Sequence, residues 1–113
     1  MSRQIISFGK ISKTVTTAGT AEPLSDVDIY VTDIEIFVPS GNSGSNVYIG
    51  SVDVDNTWIP RAKGSSYNFI HGTGVMSGLG HQNVGEFNLK YIYVDVDTSG
   101  DAVIVQYLKK TRI

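Results

Sequence analysis

Valine and isoleucine dominate the apolar residues of this chain: 13 Val and 12 Ile stand against 4 Ala and 4 Leu in 113 residues. β-Branched side chains lose rotamer freedom in a helix and pack well on a pleated surface, so this ratio opposes helix and favours strand. Twelve Gly and twelve Ser supply turns, and no window carries a convincing apolar period of 3.6 residues. The sequence therefore predicts an all-β chain. A domain takes roughly 100–200 residues, which gives one domain here. Surface scaling buries about two-thirds of the open chain's area on folding, enough for one core. A composition 41% hydrophobic and 18% charged excludes disorder. The expected architecture is a single antiparallel β-sandwich, jelly-roll-like, over residues 11–113, with residues 1–10 as an N-terminal arm.

Alternation places the strands. Ile5–Phe8 is a short segment of the arm, and Ile11–Thr17 is the first regular strand. Val27–Val38 is the longest run, with an apolar phase of Val27, Ile29 and Val31 that shifts to Ile34, Ile36 and Val38. A one-residue slip flips the buried face, so a bulge is expected near Thr32–Asp33. Val47–Val54 follows, with its own phase change at Gly50. Trp58–Ala62 contains Pro60 and belongs at an edge or in a loop. Ser66–His71 is a further strand, Gly72–Gly85 a long Gly-rich loop, and Phe87–Val96 with Ala102–Leu108 a hairpin around Asp97–Asp101. In the last strand Val103, Val105 and Tyr107 point one way and Ala102, Ile104 and Leu108 the other. A strand apolar on both faces is central in its sheet or covered by another subunit.

The side chains offer little chemistry. Without cysteine there is no disulfide, thiolate metal site or cysteine nucleophile. No apolar run approaches the roughly 18 residues of a membrane-spanning helix, and Met1–Lys10 lacks the apolar stretch of an export signal. A net charge of −2 gives no general pull toward nucleic acid. Gly41–Ser45 reads GNSGS, like the nucleophile segment of glutamate-specific serine proteases, with Ser43 as the nucleophile. Both histidines, His71 and His81, follow Ser43, the reverse of that family's order, so a turn is the better reading. Asp95–Asp101 resembles the start of a calcium loop, with Asp53 and Asp55 as further oxygen donors. Its twelfth position is Gln106 instead of a bidentate Glu, which favours a turn. Two histidines fall short of a zinc ligand set. Gly72–Gly78 has GxGxxxG spacing with no helix after it, unlike a dinucleotide site, and reads as a flexible or partner-contacting loop. Trp58, Tyr67 and Tyr48 are candidates for a sugar-stacking platform or for core and interface packing. Lys109, Lys110 and Arg112 form a small basic terminus. No enzyme, cofactor or metal is expected.

Three segments carry a resemblance. Thr14–Leu24 reads TVTTAGTAEPL; Asn46–Val54 reads NVYIGSVDV, with KGSSY at Lys63–Tyr67 after it; Ile92–Tyr107 reads IYVDVDTSGDAVIVQY. Together these resemble small β-rich virion structural proteins of tailed bacteriophages, of the capsid decoration or cement kind. The shared features identify strands and turns, so no functional residue is carried over; Gly72–Gly85 and Arg61–Lys63 belong to no part of the pattern. The resemblance implies a β-sandwich, often a homotrimer, seated on the major capsid protein at the virion surface after synthesis in the host cytoplasm. It implies no nucleic-acid or membrane partner. On this reading Ile5, Ile6 and Phe8 of the arm, with Ile104 and Leu108 of the last strand, are the candidate partner-binding residues. A carbohydrate- or receptor-binding module of a fibre or tail, and a neck or tail-completion protein, are the alternatives.

Overall fold

The computed structural model describes residues 4–70 and 86–112. His71, His81 and the Gly72–Gly85 loop lie outside the described residues. The architecture is all-β, as the valine and isoleucine content requires, with antiparallel sheets packed as a sandwich. The first sheet has the order β1 (Gln4–Thr14), β10 (Ala102–Arg112), β4 (Asp33–Phe37), β7 (Ser66–Ile70). The second has the order β2 (Glu22–Pro23), β9 (Tyr93–Val96), β5 (Asn46–Gly50), β6 (Arg61–Ala62). A small ribbon pairs β3 (Tyr30–Val31) with β8 (Phe87–Asn88), and a 3-10 turn at Leu89–Tyr91 leads into β9.

The core lies between the two four-stranded sheets. Ile36, Val103 and Val105 come from the first and Val47, Val94 and Val96 from the second, all at most 3% exposed. Val15, Leu24, Val31 and Leu89 close its margins. Short branched side chains suit this gap, because each fills its share of the roughly 10 Å between packed sheets in one stiff rotamer.

The phase shift near Thr32–Asp33 is real, and it does more than bend a strand. The run expected over Val27–Val38 divides into β3, which pairs with β8, and β4, which joins the first sheet. Thr32 sits at the break and donates its N–H to the Leu108 carbonyl at 2.9 Å. Val31, Ile34, Ile36 and Val38 are all buried, so the slip keeps both halves apolar side inward. The longest strands are instead β1 and β10, eleven residues each. β5 stops at Gly50, and Val54 reaches the core from the turn that follows.

A second difference concerns Asp97–Asp101. It is a corner between sheets: β9 belongs to the second sheet and β10 to the first. Val94 and Val96 on one strand and Val103 and Val105 on the other all need burial, and facing sheets let the two pairs share one core. Gly100, at φ 93°, makes the turn in a region that side chains with a Cβ disfavour. Its N–H donates to the Val15 carbonyl at 2.8 Å.

Candidate functional site: the outer face of the first sheet

β10 is central in its sheet, between β1 and β4. Side chains alternate across a strand, and Val103 and Val105 are fully buried, so Ile104, Gln106 and Leu108 point away from the core. Directly opposed residues of an antiparallel pair share a face. The register therefore adds Phe8, Lys10 and Ser12 from β1, and Asp33, Glu35 and Phe37 from β4, to the same outward face.

This face carries two apolar pairs, Phe8 with Leu108 and Ile104 with Phe37, separated by the polar row Lys10, Gln106 and Glu35. Phe8 is 83% exposed and Ile6 59%, with Phe37 exposed as well; Ile104 and Leu108 are half-buried. Phe8, Leu108, Glu35 and Asn68 line part of a groove of about 360 Å³. A second depression lies beside it, bounded by Phe37, Ile104 and Ser66. The one salt bridge among the described residues is elsewhere, Lys13 to Glu22 at 2.9 Å. Lys10 and Glu35 thus stand on the outer face without an ion pair among the described residues.

Residues 4–10 continue without a break into the rest of β1 and pair with β10 from Gln4↔Arg112 onward. Lys109, Lys110 and Arg112 accordingly occupy the end of β10, in register with Ser7, Ile6 and Gln4. Ile5 follows the inward phase yet is 48% exposed, because past Leu108 β10 keeps its ladder with β1 alone. Gly9 is needed where it stands: the Tyr107 ring lies over it, and a Cβ there would sit 2.2 Å from the ring.

The structure brings Ile6, Phe8, Ile104 and Leu108 together on one face and leaves Ile5 on the other side of the same ribbon. Phe37 belongs with them and was missed by sequence reasoning. The signal was available, since Phe37 is the large apolar residue out of phase with Ile34, Ile36 and Val38.

The other constellations have structural duties. Asp101, 5% exposed, accepts from the Ser43 N–H at 2.8 Å and the Gly44 N–H at 2.7 Å. Asn42 and Ala102 bond reciprocally beside it, side chain to backbone. The protease-like GNSGS segment is therefore a turn folded onto a carboxylate. Asp95 accepts from the N–H groups of Gly19 and Val96, and Asp97 from the Tyr48 hydroxyl and the Asn46 N–H. Burial first, and then the Asp97 carboxylate, push the Tyr48 phenol up from its ordinary value. Asp53 and Asp55 bond within their own turn, to Ser51 and Thr57. No cluster of three or more metal-ligating side chains occurs among the described residues.

The aromatic trio is not assembled as a platform. Tyr48 is buried, Tyr67 lies against the core with the Arg61 guanidinium 4.8 Å from its ring centre, and Trp58 packs over Gly50. No protein-family profile matches this chain, and no curated protein matches it.

Proposed function

We propose that this protein is a structural component of a tailed-phage virion, a decoration protein that binds the assembled shell through the outer face of its first sheet. The observation that carries the reading is the second apolar face of β10. The strand already buries Val103 and Val105, and its other side still presents Ile104 and Leu108 beside Phe8 and Phe37. Exposed apolar residues gathered on one sheet face among charged and polar neighbours mark a contact surface on a stable domain. The segments that resemble phage decoration proteins give the class of partner, the major capsid protein. The row Lys10, Gln106 and Glu35 crosses the face between the two apolar pairs and supplies polar contacts that fix orientation.

The proposal predicts saturable co-sedimentation with assembled shells that lack this protein. Ile104→Asp places a carboxylate beside Phe37 on the outer face without touching the inner face. Its affinity for the shell should fall about 100-fold or more, equivalent to roughly 3 kcal/mol, with thermal unfolding close to wild type. Wild-type protein that stays in the supernatant defeats the proposal, as does an Ile104→Asp variant that pellets equally well.

A further inference from the structure

Among the described residues the outward edge of β1 is an open hydrogen-bonding ladder, and we propose that it pairs with the same edge of a second copy, antiparallel about a two-fold axis. The phase of the backbone fixes which groups are free. Val15 donates its N–H to the Asp101 carbonyl at 2.9 Å and accepts from Gly100 at 2.8 Å. In an antiparallel ladder, alternate residues turn both their N–H and their C=O to the same side. Lys13, Ile11, Gly9, Ser7 and Ile5 therefore face β10. Ser12, Lys10, Phe8 and Ile6 face outward, where β1 has no neighbouring strand among the described residues. None of these four has a hydrogen-bond partner for those groups among the described residues.

Three observations favour a second copy over any other strand. An isologous contact needs a self-complementary surface, and an antiparallel strand edge supplies one: each N–H meets a C=O of its twin. Side-chain chemistry selects the register. With Gly9 opposite Gly9 at the axis, Phe8 faces the second copy's Lys10, and Ile6 faces its Ser12. Each ammonium then lies beside an aromatic ring, and no two of the lysines on β1 oppose each other. A one-step shift that opposes Lys10 to Lys10 is repulsive.

The third observation concerns support. Two-stranded ribbons are marginal alone, and a third strand makes them stable. Past Leu108 the ribbon of Gln4–Ser7 with Lys109–Arg112 lacks a hydrogen-bonded third strand among the described residues. In the Gly9-centred register it lies beside residues 11–14 of the second copy, the part of β1 paired with residues 102–105. Each copy thus braces the other's ribbon with its own well-packed half. The first sheets of the two copies become one continuous sheet of eight strands. This pairing is independent of any shell and leaves the Ile104–Phe37 part of the outer face free.

Sedimentation of the isolated protein across a concentration series tests the pairing. The wild type should be a dimer. Lys10→Pro removes an outward N–H, and its ring occupies the edge while every β1–β10 bond is kept. The dimer dissociation constant should rise about 100-fold or more, with unchanged circular dichroism. Ile11→Pro instead removes a donor to β10 and should destabilise the fold itself, which checks the assigned phase. Phe8→Ala, which alters no backbone group, should weaken the dimer about tenfold. A wild type that is monomeric or trimeric overturns the proposal. So does a dimer that survives both Lys10→Pro and Phe8→Ala.

Discussion

Aspartates that look like ligands or catalytic groups here hold loops. Asp101 grips the Ser43 and Gly44 N–H groups from a site 95% buried by its 5% exposure. Asp101→Ala leaves both donors without their charged acceptor and should cost about 3 kcal/mol, read by chemical denaturation. Lys13 holds the Glu22 carboxyl below its usual value of 4.5, first through a side-chain hydrogen bond; the Thr16 N–H also helps. A lowered folded-state value means that the contribution is full above pH 4.5 and is lost as pH falls below it. Glu22→Gln should flatten the acid limb of a melting-temperature profile in that window. Tyr48 runs the other way. Its raised value makes its contribution full below about pH 10 and lost as pH rises above that, so Tyr48→Phe should flatten the alkaline limb. The sequence displayed these residues but not their partners, since Asp101 and Ser43 are 58 positions apart.

At the scale of elements, alternation was a sound guide wherever the chain stays in one sheet. It set Val103 and Val105 on the opposite side from Ile104 and Leu108, which proved to be the inner and outer faces, and the Thr32–Asp33 phase shift marked a true break. It failed at Asp97–Asp101, because a turn between two apolar strands reads alike whether the strands pair side by side or face each other across a core. It also could not foresee that residues 4–10 continue β1, because their partners are residues 106–112 at the far end of the chain. Gly50 tests a packing claim on the second sheet. A Cβ there would come 2.4 Å from the Trp58 ring, so Gly50→Ala must displace it. As Trp58 is the single tryptophan, its emission should shift to the red, with a stability loss of about 1 kcal/mol. Unchanged emission would contradict the packing.

For the whole molecule, the division of labour is by face. The inner faces hold the fold, while the proposals place the shell on the outer face of the first sheet and a second copy on the β1 edge. Phe8, the most exposed aromatic side chain among the described residues, lies where the outer sheet face and the β1 edge meet. The most direct test is oxidative side-chain footprinting, with and without shells that lack this protein. Oxidation of Phe8, Phe37 and Leu108 should drop on binding, while Tyr91, 66% exposed and remote in sequence from these strands, and Trp58 on the second sheet should react as before. Protection at Trp58 and Tyr91 with none at Phe37 and Leu108 would contradict the account.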